Sequence, residues 1–377
     1  MKKSSIYIHF PYCLKKCNYC DFVSFPCALA VPDLTKYYLR ELELYREKFG
    51  LRNISSIYFG GGTPSLMSPK TLGQIIEKIY AIYNVKSDAE ITLEVNPKTA
   101  NDEKLKSFSL CGVNRLSVGM QSLDDKELQF LGRVHNVKDA LNTLGMARKY
   151  FSNISCDFIY ALPNQSMEKW QKNLEKIKIL DVEHLSLYEL IIEKKTPLYR
   201  LVKNGEITPV CEGVAKKMYE YTNRFLKGTF SQYEISNYAK PGFESRHNLN
   251  YWNGGDYIGI GISAAGRIFD GKKHFISDNP RNIFSWKSNV DAGVLPIKTL
   301  SKQKRGEEML IMGLRKNRGI NFKEFMENSG VDFFDIIDDK KFKNMVDNKF
   351  LILSESAVRA SVKGRSVLDA IIREIIK

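Results

Sequence analysis

A chain of 377 residues with 43% hydrophobic residues can bury a large core, enough for one big domain and a smaller one. No apolar run approaches the ~20 residues of a membrane-spanning helix, and the basic start MKKSSIYIHF is interrupted by His9 and Pro11 before a signal-peptide core develops, so the expected location is cytoplasmic. The net charge of +14 comes from lysines spread through the chain, often beside glutamates, which reads as a solvated surface; no motif supports nucleic-acid binding.

The first strand, near Ile6, runs directly into three cysteines within eight residues, Cys13-x3-Cys17-x2-Cys20. Three thiolates this close point to one shared metal centre. A structural zinc site wants four protein ligands, whereas a four-iron cluster held by three cysteines keeps one iron open for a small molecule. Zinc with His9 as fourth ligand stays open as an alternative, and the scattered Cys27, Cys111, Cys156 and Cys211 read as free thiols.

Next comes a helical stripe of Leu34, Tyr38, Leu42, Tyr45 and Phe49, then a strand from Ile57 that ends in Gly60-Gly61-Gly62-Thr63-Pro64. Glycines at a strand's carboxyl end let backbone approach a ligand, with amides expected to be free for a carboxylate or ribose. Ser68-Pro69 opens a second helix, further helices start at Asn136 and Ser166, and strands start near Ile91, Leu116, Ile154 and Leu185. Six strands alternating with helices imply an α/β fold: a parallel sheet curled into an open partial barrel, with ligands at the carboxyl ends of the strands.

After Tyr238 the periodicity breaks. Residues 238–267, dense in Gly, Asn and aromatics, read as loops and short strands packed against the barrel mouth. They contain Arg246-His247-Asn248-Leu249-Asn250-Tyr251-Trp252, which is either a packed aromatic corner or, through the imidazole of His247, a haem site. From Leu300 the chain is compact and helical. The expected division is 1–237, 238–295 and 296–377.

The cysteine spacing, with an aromatic residue just before Cys20, resembles the radical S-adenosylmethionine (SAM) family. The lead-in Tyr7-Ile8-His9-Phe10-Pro11-Tyr12 resembles its subgroup of oxygen-independent coproporphyrinogen III oxidases and HemW-type haem chaperones. The resemblance implies a partial (βα)6 barrel with a small C-terminal winged-helix-like domain. It implies a 4Fe-4S cluster on Cys13, Cys17 and Cys20, with SAM on the open iron. SAM would be met by Gly61, Gly62, Thr63 and Glu94, with Tyr7 beside it and Tyr19 facing the adenine; Gln121, Arg133 and Asp157 match positions that contact a second SAM in the oxidase.

Several positions depart from that pattern. Phe22 stands where the oxidase has a further cysteine, Ala161 and Asn164 stand where relatives have glycines, and Ala265 stands where relatives often have a histidine. His-Asn-x-x-Tyr-Trp marks the chaperones and is implicated there in haem binding, here through His247, with His9 and His135 as other candidate ligands and His184 and His274 read as structural or exposed. The resemblance therefore implies a chaperone that binds cluster, SAM and haem and delivers haem to haem-requiring membrane proteins such as cytochromes; a peripheral membrane contact and a homodimer are compatible with it. The alternative is oxidative decarboxylation of coproporphyrinogen III through reductive SAM cleavage. Which of the two, and hence whether the chain is an enzyme, favours the chaperone on Phe22 and the His-Asn-x-x-Tyr-Trp motif.

Overall fold

A computed structural model describes residues 3–27 and 31–377. All six strand candidates form strands: β1 (Lys3–Phe10), β2 (Asn53–Gly61), β3 (Asn84–Val95), β4 (Arg115–Gln121), β5 (Ile154–Tyr160) and β6 (His184–Glu189). They pair in parallel in that order. Helices α1 (Thr35–Phe49), α2 (Pro69–Ile82), α3 (Asp102–Leu110), α4 (Val137–Ala147) and α5 (Met167–Ile179) make the crossovers. The expected stripe of α1 is buried at Tyr38, Leu42 and Tyr45. Ser68 caps α2 through the Thr71 amide, Asn136 and Asp139 form a capping box on α4, and Ser166 caps α5. The sequence reading passed over α3, whose nine residues bury only Leu105 and Phe108 and so carry a weak apolar period.

The strands alternate between faces. Outward residues such as Ile57, Leu93, Leu116 and Phe158 join the main apolar core beneath the helices. Inward residues are polar: Arg115, Ser117, Gly119 and Gln121 of β4 all line one interior cavity. The half-barrel thus encloses a polar chamber.

The stretch after Tyr238 does not sit as loops at the mouth; it extends the sheet at its open edge. After α6 (Glu212–Leu226), β7 (Ser231–Gln232) and β8 (Asn237–Ala239) close the β6 side, and α7 (Arg246–Trp252) leads into β9 (Asp256–Ile260), β10 (Ala265–Phe269), β11 (His274–Asp278) and β12 (Ile297–Leu300). The twelve-stranded order is β12-β11-β10-β9-β1-β2-β3-β4-β5-β6-β8-β7. β9 runs parallel to β1, with Ile258 beside Ile6 and Ile260 beside Ile8, all fully buried. A buried Arg52–Asp256 ion pair of 2.7 Å, extended from Arg52 to the Phe269 carbonyl, clamps this edge. The fully buried Glu41 of α1 fastens it from the other side by accepting from the Gly261 amide, Asn279 Nδ2 and Trp286 Nε1. Hydrophobic pairing and buried polar clamps outweigh the loop-like composition.

A second core, around Leu310, Phe325, Phe333, Ile336 and Ile372, belongs to the C-terminal domain. Its helices are α9 (Lys302–Gly313), α10 (Phe322–Ser329), α11 (Asp339–Asp347) and α12 (Leu368–Ile375), following α8 (Ile283–Asp291). A small antiparallel sheet of β13 (Ile320–Asn321), β15 (Ala357–Ala360) and β14 (Leu351–Leu353) supplies the wing. Among the described residues no helix is long and apolar enough to cross a membrane.

Ala161 and Asn164, which replace glycines of relatives, hold the left-handed backbone that glycine favours, at φ of 58° and 62°. The Gln165 side chain accepts the Ala161 amide at 2.8 Å and pins the turn. The conformation is kept at an energetic cost. Ala161→Gly is therefore expected to stabilise the protein by about 0.5–1 kcal/mol in denaturant titrations; a loss of stability would mean the turn gains nothing from a glycine.

Candidate functional site

The cysteine loop starts where β1 ends. Its own closure comes from Phe25 donating to the Pro11 carbonyl and Cys27 to the Cys13 carbonyl, at 2.7 and 2.8 Å. One flank rests on the glycine turn: Gly62 N–H donates to the Phe10 carbonyl at 2.7 Å and Thr63 N–H to the Tyr12 carbonyl at 2.8 Å. The other flank rests on the segment after β4, where Asn18 bonds through its amide to the Leu131 carbonyl and through Nδ2 to the Phe130 carbonyl. Gly132, at φ 76°, leaves room for Asn18, since a Cβ there would lie 2.9 Å from its side-chain oxygen.

This corrects the expectation about the glycines. The Gly62 and Thr63 amides are not free for a ligand, because they carry the cysteine loop, and the Gly61 amide donates to Glu94 Oε2 at 3.2 Å. A Cβ on Gly62 would fall 2.6 Å from the Tyr12 carbonyl oxygen, and one on Gly61 2.7 Å from the His9 ring. The glycines are required by close backbone packing first.

All three cysteines line a cavity of about 920 Å³ together with Tyr19, Gly61, Gly62, Thr63, Glu94, Gln121, Arg133 and Asp157. Burial pushes the Cys13 thiol up and the Cys20 thiol up to about 11, so either becomes a thiolate readily only against a positive partner. Such partners are cations or a metal centre. Among the described residues no three His, Cys, Asp or Glu side chains converge on one point as a mononuclear site requires. His9 is no fourth zinc ligand, since its Nε2 meets the Val23 carbonyl at 2.8 Å and its Nδ1 the Tyr7 hydroxyl at 3.1 Å. Three thiols on one short loop facing a common chamber instead suit a cluster, in which each takes a different iron.

Arg133 is half-buried at the edge of this loop. It donates to Cys17 Sγ at 3.5 Å, to the Gly119 carbonyl at 3.0 Å and to the side chain of Asn96, which itself donates to Thr63. Deeper in the chamber stand two carboxyls. Burial raises Glu94 to about 7, against the Tyr58 hydroxyl at 2.9 Å and the Gly61 amide, which pull it down. Asp157 is likewise raised by burial and held by the hydroxyls of Ser117, Ser155 and Ser186. Both carboxyls are poised to ionise against a bound cation.

Two site residues fall outside the cavity wall. Tyr7 packs behind it, stacked on Tyr58 and bonded to His9. His247, expected as a haem ligand, is 1% exposed, with Nδ1 on Ser56 Oγ at 3.0 Å and Nε2 on the Tyr251 hydroxyl at 2.8 Å. Both ring nitrogens of His247, the expected haem ligand, are engaged in this geometry, which leaves neither free to meet a metal. The remaining four histidines are also buried and none lines the cavity. His184 is bonded at both nitrogens, to Ser155 and Tyr233, and His135 reaches the Met120 carbonyl.

The motif instead builds a joint. Glu90 of β3 accepts from the Arg246 and His247 amides at 3.0 Å each and so holds the N-terminus of α7. At the other end Asn253 Oδ1 takes Lys316 Nζ at 2.8 Å and Arg318 Nη2 at 2.6 Å from the C-terminal domain. Asn248 is the motif residue that reaches the cavity. Sequence reasoning missed it, and missed Tyr58, Arg115, Ser117 and Tyr188 in the wall; the period-2 polar alternation of the strands was the available signal.

His247→Ala is accordingly expected to lower stability by roughly 1–3 kcal/mol, the cost of orphaning buried partners, without altering a haem spectrum. Burial holds the His247 imidazole neutral down to about 3 instead of 6.5. The unfolded chain therefore binds this proton first, and the stability gap between wild type and variant should narrow as pH falls from 6.5 towards 3. Denaturant titrations across that range check both statements; a changed Soret band would restore His247 as a ligand.

Comparison with known proteins adds the lineage. The pattern of the Radical SAM superfamily matches residues 7–177, and that of the HemN C-terminal domain matches residues 300–367. "Radical S-adenosyl methionine domain-containing protein 1, mitochondrial" of Danio rerio is 36% identical, covering 99% of this chain and 87% of its own. "Heme chaperone HemW" of Bacillus subtilis is 33% identical over 96% of both chains, and that of Buchnera aphidicola (Acyrthosiphon pisum strain) is 32% identical over 99% of this chain and 98% of its own. The solved coproporphyrinogen III oxidase (HemN) of Escherichia coli shares the fold, with a TM-score of 0.80 over 99% of this chain and 89% of that one, at 20% identity. With such identity over nearly its whole length, and with the cysteine loop, glycine turn and C-terminal domain in place, the chain belongs to the HemW family of radical SAM proteins.

Proposed function

We propose that the protein is a haem chaperone that holds a 4Fe-4S cluster on Cys13, Cys17 and Cys20, binds SAM and haem in the adjoining chamber, and delivers haem to haem-requiring membrane proteins such as cytochromes. The observation that carries this reading is the chamber itself: one continuous space of about 920 Å³ runs from the three cysteines to Lys216, Arg315 and Arg365, the last two from the C-terminal domain. One end offers thiols to a metal centre. The other offers cations to the propionates of a tetrapyrrole.

A cluster with SAM on its open iron would supply electron transfer to a sulfonium at the cysteine end. Glu94 and Asp157 suit the cationic groups of SAM, because each ionises most easily beside a positive charge. Arg133 steadies the Cys17 sulfur by hydrogen bonding, and Tyr19, packed on Leu131, Ile159 and Leu162, presents a flat face for a base. No cavity-lining residue is a histidine, so an axial protein ligand to haem would come from a tyrosine hydroxyl or another oxygen or sulfur donor of the wall. The proposed setting is the cytoplasm, with the acceptor met at a membrane surface.

Phe22 favours the chaperone over the oxidase: it is 62% exposed on the loop, where the oxidase pattern has a further cysteine. The test is anaerobic incubation of the cluster-reconstituted protein with haem, and separately with coproporphyrinogen III, SAM and a reductant. Stable haem binding and no decarboxylated product is the expected result. Turnover of coproporphyrinogen III would overturn it, and would make the two carboxyls part of an enzyme's active site.

A further inference from the structure

Deep in the chamber one cation has no counterpart. Arg115 opens β4 and points inward, 2% exposed, yet it lines the cavity. Its Nε is buried without a hydrogen-bond partner, and no carboxylate among the described residues forms a close ion pair with it. Its register neighbour on β3, Thr92, is fully buried with an equally unpartnered Oγ1. Two orphaned groups thus stand side by side on adjacent strands, and of the two Arg115 lines the cavity.

The nearby acids do not hydrogen-bond to Arg115, although its charge acts on Asp157 through space. Asp157 already accepts from Ser117 at 2.6 Å and from Ser155 at 3.0 Å, and Glu94 accepts from the Tyr58 hydroxyl and the Gly61 amide. The surrounding tyrosines and histidines are neutral: Tyr58, Tyr233, His184 and His247 all have their charged forms disfavoured by burial. An unpaired guanidinium in such a place is costly unless an anion completes it.

We propose that Arg115 is the carboxylate-binding residue of the chamber and that its occupant is a propionate of the tetrapyrrole. This rests on the haem reading above. A planar fork of N–H donors matches a carboxylate in bidentate fashion. Charge identifies the occupant. Arg115 stands two residues along the strand from Ser117, the register partner of Glu94, so the carboxyls and the guanidinium face one chamber with opposite signs. In the haem reading SAM brings the cationic groups that suit Glu94 and Asp157, and the tetrapyrrole brings carboxylates on flexible arms that suit Arg115. Asn248 and Arg315 also line the cavity, which gives the His-Asn-x-x-Tyr-Trp helix a share in the wall without any role for His247 in ligation.

The test is a visible-absorbance titration of the anaerobically reconstituted full chain with haem and with haem dimethyl ester, for wild type, Arg115→Met and Arg115→Lys. Wild type should bind haem more tightly than the ester. Arg115→Met should weaken haem about 10- to 100-fold, the range for a hydrogen bond to a charged group, while leaving the ester unchanged. Arg115→Lys should fall between, since it keeps the charge and loses the fork. Arg115→Met should also melt no lower than wild type, because it removes an unpaired buried charge. Unchanged haem affinity in Arg115→Met would overturn the assignment and leave ordered water as the partner. Weakened SAM binding with intact haem binding would overturn it in favour of an amino-acid carboxylate. A wild type that binds no haem would overturn the haem reading itself, a result distinct from either.

Discussion

Two backbone hydrogen bonds, from the Gly62 and Thr63 amides to the Phe10 and Tyr12 carbonyls, set the position of everything at the mouth of this barrel. They exist because the turn after β2 carries no side chain at its closest approach: the space where a Cβ of Gly62 would sit is taken by the Tyr12 backbone, one residue before Cys13. A strand end and a loop from the neighbouring strand are thereby locked together. The same turn orients Glu94 through the Gly61 amide, and Asn96 carries the constraint on to Arg133 and from there to the Cys17 sulfur. Cluster loop, carboxyl and guanidinium are one hydrogen-bonded unit, with the glycine turn at its centre.

Beneath that unit, alternation does the rest. Each strand sends apolar side chains to the helices and polar ones inward, so the half-barrel closes around hydroxyls, carboxyls and the Arg115 guanidinium instead of a second apolar core. Such a chamber is expensive to leave unfilled, since every unpaired group forgoes hydrogen bonds to water. The cost is spread over Thr92 and Arg115, and over the carboxyls of Glu94 and Asp157, whose charged forms burial disfavours. A ligand with both cationic and anionic groups would relieve it. The edge strands β9 to β12 and the joint at α7 make the chamber rigid from the outside, through Arg52, Glu41 and Glu90.

Much of this was legible in the sequence. The six strands, the caps at Ser68, Asn136 and Ser166, and the cysteine triplet were all readable because each is a local signal of period, capping or spacing. What escaped reading depended on distant partners. Residues 238–267 read as loops and short strands at the barrel mouth, yet Asp256–Ile260 pairs with β1, held where Asp256 meets Arg52 and Gly261 meets Glu41. His247 looks like a ligand in a motif, yet its two nitrogens are consumed by Ser56, 191 positions earlier in the chain, and by Tyr251. The glycine turn was found, but its structural use was not, since nothing local says that the Gly62 amide donates to the Phe10 carbonyl.

The measurement that bears most directly on this account is the iron and sulfide content of Gly62→Val, purified and reconstituted anaerobically. All three cysteines are present in that variant, and the substitution lies outside their loop. The account predicts that the cluster is lost or sharply reduced, because the new side chain drives the Tyr12 backbone, and Cys13 with it, out of place. A full complement of iron and sulfide, with the absorbance of the intact cluster, would contradict it and return the glycine turn to a purely ligand-facing role.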